Sequence, residues 1–339
     1  MRLIGYTAVF AAAVFLCRDA TIARRVLWAI MITAVCAIAY GLVMHAQNRS
    51  CVAMGYIKVP LELNRPCTFS GPFVNSGNFA TLVGMSGLCA LAIISVGRRR
   101  SADRDWRARW RERLANLTGG RALAFGVLLG ALIAILLTVS RAGLAAFLFA
   151  SLALVVVPAL LRRRTRRLSY GLLASALAVI VTAVGVFGGD MVVRYFALVE
   201  AGDRTRSELL TLALAAIQQR PWIGWGLGSY SEVYSLLQPV AINIRYDKAH
   251  NTYLEWAMDL GVPAAALATS VFVMIAVRCA RGVAERARDS ELPAIGLAAT
   301  LFIGAQSLVD FGVQIPAVAF TYSALAGIGW AQSFSSRSG

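Results

Sequence analysis

Guanidinium groups and one imidazole gather where the apolar runs of this chain end. Arg141 stands in Ser140-Arg141-Ala142-Gly143, between two uncharged runs that leave no room for a loop. A cation there can grip an anion at a membrane edge, or it can anchor a span by snorkelling. Arg206 falls in the first turn of an expected helix, where the macrodipole disfavours a cation unless an anionic ligand is present. From position alone a solvated arginine explains it as well. His250 opens Ala249-His250-Asn251-Thr252-Tyr253-Leu254-Glu255. Its imidazole can act as a base near neutral pH, a contribution of typically ~10²–10⁴ in rate. The alternative for a lone interfacial histidine is a structural role. His45 ends a span with no polar cluster around it and reads as structural.

Around these residues lie Arg194, Arg204, Arg220, Arg245 and Lys248, against Asp190, Glu200, Asp203, Glu232 and Asp247. A cationic surface of this kind suits a phosphate-bearing, membrane-anchored substrate, because guanidinium offers a rigid fork for phosphate oxygens. Other chemistries find little purchase. The chain has no HExxH, no GxSxG, no external acidic pair and no Cys/His cluster, so no metal is expected. Gly224-x-Gly226-x-Gly228 lacks the preceding strand and the spacing of a dinucleotide loop, so no nucleotide cofactor is expected either.

The elements that position these groups are membrane spans. The chain has 339 residues, of which 58% are hydrophobic and only 15% charged. Long uncharged runs cover Val26–Asn48, Phe73–Gly97, Ala122–Ser140, Ala142–Leu161, Leu168–Gly189, Leu260–Val277, Leu292–Val309 and Phe311–Phe334. Each approaches the ~20 residues needed to cross the hydrocarbon core, and Leu3–Cys17 is a shorter ninth candidate. An all-α polytopic bundle of about eight or nine spans follows, organised as one transmembrane domain over residues 1–339.

The net charge of +16 is a matter of topology. Of the 33 Lys and Arg, 22 follow alternate spans, in Arg18–Arg25, Arg98–Arg121, Arg162–Arg167, Arg278–Arg288 and Arg337. Positive-inside bias assigns that side to the cytoplasm and argues for membrane lipids, not nucleic acid, as the partner. Asp105 to Arg111 reads as an interfacial helix or a solvated loop. Two loops face outward, Asn48–Pro72 and Asp190–Ala249, and residues 190–250 are expected to carry part of the active site. Within the second, Thr205 and Glu208 fit a capping box, and apolar residues from Leu209 to Ile217 recur at helical spacing. That helix should end before Pro221, with a glycine-aromatic turn at the membrane interface after it. Cys51 and Cys67 share the first outer loop, where either a disulfide or two free thiols would be tolerated. Leu3–Cys17 lacks the features of a signal peptide. Nine spans with a cytoplasmic carboxyl end would put Met1 outside. The count therefore predicts missing amino-terminal spans, or a first segment that does not cross.

Five elements in order carry a resemblance. Thr68 to Ala80 is similar to a "tG-F-N-N-A" element, and Ser140-Arg141-Ala142-Gly143 to an SRGG turn that here has Ala142 for a glycine. Arg206 through Arg220-Pro221-Trp222-Ile223-Gly224-Trp225-Gly226 resembles an "R…P-x-x-G-x-G" segment. Ala249 to Leu254, with Leu260-Gly261-Val262-Pro263, resembles "HN-x-(Y/F)-L…G-x-x-G", with Pro263-Ala264 in place of the usual later glycine. Asp310-Phe311 through Pro316-Ala317 resembles a closing "D-F…PA". Together they resemble the O-antigen ligase / O-antigen polymerase superfamily of bacterial membrane glycosyltransferases, from about Val26 to the carboxyl end.

The resemblance implies a GT-C-like helical fold in the inner membrane with a periplasmic active site. It implies an undecaprenyl-diphosphate-linked glycan as donor, a glycan or lipid as acceptor, and no metal or cofactor. Arg141 and Arg206 match arginines thought to hold the diphosphate, and His250 a histidine thought to activate or orient the acceptor hydroxyl. Arg204, Arg220, Asn75 and Asp310 are the further substrate-binding candidates. A transporter or flippase of lipid-linked glycan would also need a cationic path, but transporters place polar groups near the midplane. Here the charges gather at one rim, which favours an enzyme over a transporter or a non-catalytic scaffold.

Overall fold

The computed structural model describes residues 2–47, 52–53, 56–57, 69–95, 119–161, 208–237, 247–286 and 288–334. Its architecture is an all-α polytopic bundle. The helices are α1 (Arg2–Leu16), α2 (Ala20–Ala46), α3 (Ser76–Ser95), α4 (Gly120–Leu137) and α5 (Arg141–Leu161). They continue with α6 (208–219), α7 (Tyr230–Leu237), α8 (Thr252–Leu260), α9 (Val262–Glu285), α10 (Glu291–Gln306) and α11 (Pro316–Ala331). A 3-10 turn at Gly312–Gln314 precedes α11. The loop after α2 adds a two-residue antiparallel ladder, Val52–Ala53 with Tyr56–Ile57, in the register Val52 opposite Ile57.

Among the described residues five helices are long and apolar enough to cross a membrane: α2, α3, α4, α5 and α9. The expected eight or nine full-length spans need correction on two counts. Leu292–Val309 yields a helix of 16 residues, and Phe311–Phe334 is divided into the 3-10 turn and another 16-residue helix. Sixteen residues reach only about 24 Å. The reason is local. Residues 307–315 leave the helix to place Asp310, and Pro316 restarts it at a position where a missing N–H costs nothing. The run Leu168–Gly189, the interfacial-helix candidate at 105–111, Thr205 of the capping box, and the pair Cys51 and Cys67 lie outside the described residues.

Two helices form the centre. Nearly every residue of α3 from Gly77 to Ala92 is buried, and α10 is buried along most of its length. Helix α3 packs on α2, α4, α5 and α10, while α10 packs on α3, α5, α9 and α11. Membrane helices gain little from mutual hydrophobicity, so close contact depends on small residues. A Cβ added at Gly296 would stand 2.5 Å from Gly329 Cα, so α10 and α11 touch backbone to backbone there. Gly84 admits the Phe302 ring in the same way, and Phe302 meets Phe147 edge to face at 6.5 Å.

The two ends of the bundle differ in chemistry. At one end the turn between α1 and α2, the turn between α9 and α10, and the end of α11 are tied together. Arg24 pairs with Asp289 and, at 2.7 Å, with Glu291. Gln332 Nε2 donates to the carbonyls of Cys17 and Arg18, and Arg286 Nη1 donates to Gln332 O. Two of the arginine-bearing segments that the sequence placed on one side, Arg18–Arg25 and Arg278–Arg288, share this end; 162–167, Arg337 and nearly all of 98–121 lie outside the described residues. The opposite end collects the start of α3, the α4–α5 turn, the α8 region and residues 307–315.

Replacing Gly296 with valine should separate α10 from α11 and lower stability by about 1–3 kcal/mol, as overpacked cores do. Thermal unfolding of the detergent-solubilised variant, compared with Gly296→Ala as the milder change, measures this.

Candidate active site

His250 sits on a short loop between residue 247 and α8, with a left-handed φ of 51°. Such a backbone costs a residue other than glycine of order 1–3 kcal/mol and persists only where neighbours over-determine it. The neighbours do so from both sides. After the histidine, Asn251 caps α8, its Oδ1 accepting from Leu254 N at 3.0 Å while its Nδ2 donates to Leu308 O at 2.9 Å. Thr252, fully buried, donates from N to Ser307 O and from Oγ1 to Asp310 O. Before it, the buried carboxylate of Glu255 accepts from Lys248 Nζ at 2.8 Å and from Ala249 N at 3.1 Å. Lys248 also donates to Gln314 Oε1 at 2.6 Å. The loop is thus stitched to residues 307–314.

That stitching sets Asp310 against the imidazole. His250 Nδ1 is buried without a hydrogen bond, and Asp310 Oδ1 lies 3.5 Å away. Catalytic contacts are often this long before substrate arrives. Asp310 is itself buried and its Oδ1 accepts from Phe311 N at 2.9 Å. Phe311 meets the imidazole ring edge to face at 5.1 Å. Were Asp310 to close to hydrogen-bond distance of Nδ1, it would fix the tautomer and leave Nε2 as the atom that can take a proton.

The wall behind this pair is the first turn of α3. Asn75 Oδ1 accepts from Gly77 N at 2.6 Å, so its side chain is engaged in capping that helix. A Cβ at Gly77 would fall 2.1 Å from Asp310 Oδ2, which only glycine permits. One turn on, Gly143 of α5 approaches Ala80, whose Cβ is 2.8 Å from where a Cβ would stand. Arg141, the first residue of α5, therefore flanks the same turn of α3 that Asp310 touches. The α4–α5 connection is as tight as the sequence implied, with Val139 at φ 54°.

The structure thus brings together His250, Asp310 and the turn capped by Asn75, and Arg141 begins the helix whose Gly143 packs on Ala80 one turn further along α3. Arg220 belongs elsewhere: its guanidinium stacks over the Trp225 ring at 4.2 Å. Arg204 and Arg206 lie outside the described residues. His250 precedes the nine-residue α8, which Gly261, at φ 82°, separates from α9. Sequence reasoning missed Glu255, Thr252 and Gly77, and it placed Lys248 on the cationic surface without its partner Glu255. A carboxylate five residues past the histidine, in an apolar helix, was the available signal for Glu255.

Residues 208–237 form a lobe with its own small core of Leu209, Ala213, Ala216, Tyr230, Val233 and Tyr234, closed by Ala249 and Met258. Its first helix ends at residue 219, before Pro221, as expected. Asp259 holds the lobe's glycine turn, its Oδ2 accepting from Gly228 N at 2.7 Å and its Oδ1 from Ser229 Oγ at 3.3 Å. Burial pushes its carboxyl up from 3.8 to about 6, helped by Glu255 nearby and opposed by those hydrogen bonds.

A family model described as O-antigen ligase matches residues 124–269. That interval runs from α4 into α9 and takes in Arg141, the lobe and His250. No curated protein matches the chain. Its five helices long and apolar enough to cross a membrane, among the described residues, mark a multi-pass membrane protein. Asp310 and Asn75 stand outside the matched interval, yet Asp310 faces the imidazole and Asn75 caps the helix turn on which Asp310 rests.

Two outcomes follow from the geometry. A carboxyl whose folded pKa is raised adds stability at low pH that is lost as pH climbs from 3.8 through about 6. Asp259→Asn should flatten that part of the stability–pH curve, read by thermal unfolding across pH. Glu255→Ala leaves Ala249 N and Lys248 without their acceptor and should lower turnover more than substrate affinity, by about 10-fold or more. Glu255→Gln, which keeps an acceptor, should recover part of the loss in the same steady-state assay.

Proposed function

We propose that this chain is a membrane glycosyltransferase that moves a glycan from an undecaprenyl-diphosphate-linked donor to an acceptor hydroxyl at the periplasmic rim of the bundle. The observation that carries the reading is the imidazole of His250 backed by the buried carboxylate of Asp310, beside the helix start that bears Arg141. The acceptor oxygen attacks the anomeric carbon of the donor sugar, and its proton passes to His250 Nε2. The bond from that carbon to the diphosphate oxygen breaks, and the electron pair leaves on the lipid diphosphate. Arg141 and Arg206 meet the charge that grows on the leaving oxygen; fixed cations at a water-poor edge stabilise it better than exposed ones. Asp310 stabilises the imidazolium that forms. No step calls for a metal or a nucleotide.

The same residues would serve a ligase or a polymerase, which differ in the acceptor. The family match at residues 124–269 supports the transferase class. The arginine-bearing turns at the opposite end support a periplasmic site, through positive-inside bias. Residues 190–250 supply part of the site in this reading, within one transmembrane unit.

Arg141→Ala, Arg206→Ala and His250→Ala should each stop transfer from purified lipid-linked donor in vesicles while the protein still inserts. Asp310→Asn should slow it by about 10²–10⁴-fold with little change in donor affinity. Normal glycan product from all three alanine variants overturns the assignment. A deletion strain separates the two activities, since loss of chain-length ladders marks a polymerase and intact polymer left on carrier lipid marks a ligase.

A further inference from the structure

The lobe at 208–237 buries a core of its own, yet leaves four large apolar side chains bare. Trp222 is 77% exposed, Ile223 78%, Leu227 70% and Leu236 76%, the same as Leu267 at 72% on the outer face of the α9 span. Three of them fall in residues 221–231, which contain no charge. A soluble surface scatters such residues singly; together they mark a partner.

Where the segment sits identifies the partner. Val262, the first residue of α9, donates its N–H to Pro221 O at 2.8 Å. A Cβ at Gly261 would lie 2.3 Å from Trp222 O, and one at Gly224 would lie 2.5 Å from Asp259 O. The turn is therefore pressed, backbone on backbone, against the point at which a lipid-facing span begins. Its depth is the depth of the bilayer surface.

A second observation concerns its peptide groups. Non-helical backbone is tolerated at membrane depth only where its polar groups are satisfied inside the protein. Here Gly224 N donates to Arg220 O at 3.1 Å, Trp225 N to Met258 O at 3.0 Å and Gly226 N to Asp259 O at 2.8 Å. Gly228 N donates to the Asp259 carboxylate at 2.7 Å, and Ser229 N to Gly226 O at 3.1 Å. Trp225 Nε1 is also engaged, with Ala216 O at 2.9 Å. This internal pairing leaves those peptide groups independent of water and so compatible with lipid. The positive φ of Gly224, Gly226 and Gly228 lets the chain fold back tightly enough to reach these acceptors.

We propose that residues 221–228 are a wedge inserted into lipid, with Trp222, Ile223 and Leu227 in the interfacial zone of the leaflet where α9 begins. Indole favours that zone, and the exposed flank of α9 continues the apolar surface downward from Val262 to Leu267. Arg220, stacked on Trp225 at the rim of the wedge, lies at the level of the phosphates. The wedge fixes the lobe against the bilayer, whatever reaction the chain performs.

The test is depth-dependent quenching in phosphatidylcholine/phosphatidylglycerol vesicles holding the full chain. Comparing wild type with Trp222→Phe isolates the emission of Trp222 from the other tryptophans. Roughly half of that difference should disappear with lipids brominated near the glycerol end of the acyl chain, with less loss for bromine at the chain terminus and little from aqueous iodide. Adding Leu227→Trp to Trp222→Phe should restore a component quenched in the same order. If iodide quenches both components and brominated lipid neither, the wedge stands in water and the proposal is overturned.

Discussion

The first turn of α3 cannot carry a side chain where Asp310 meets it. Gly77 yields its Cβ position to a carboxylate oxygen, and this single vacancy allows residues 307–315 to lie against the bundle's centre. From there the order of the site follows. Asp310 is buried against Gly77, Thr252 hangs from the Asp310 carbonyl, and Asn251 from Leu308. His250 is then caught between these tethers and the Glu255 clamp. A carboxylate near a helix amino terminus is also in a favourable field, so the packing and the electrostatics point the same way.

Much of this could be read from residue types, and the reasons for the rest are specific. The runs that became α2, α3, α4, α5 and α9 were plain because lipid demands unbroken apolar length. Arginine placement gave the sidedness of the turns for the same kind of reason. Phe311–Phe334 misled because Gln314, Ile315 and Pro316 add no charge to a run that nonetheless breaks there. An uncharged break is invisible to a hydrophobicity count. His250 was legible as chemistry, but its company was not: Asp310 lies sixty residues away and Lys248–Glu255 looks like an ordinary surface pair. The resemblance named Asp310 as a contact for substrate, and in the structure its Oδ1 also lies 3.5 Å from His250 Nδ1.

Asn75 shows the same shift from expected to observed role. Its amide is engaged in ending the loop and starting α3, so it shapes the wall on which Asp310 rests. Asp259 does parallel work for the lobe, acting as a side-chain acceptor where no backbone carbonyl is at hand. In both places one short polar side chain lets an irregular segment lie where regular structure would otherwise be required.

Gly261 divides α8 from α9, and the division has a mechanical meaning. Spans tilt when bilayer thickness changes, and a histidine rigidly continuous with α9 would swing with it. Instead the imidazole stands on the loop before a separate nine-residue helix, and that loop is bonded to the 307–314 strap. Membranes of unequal thickness should therefore leave the proton-accepting atom in register with its carboxylate.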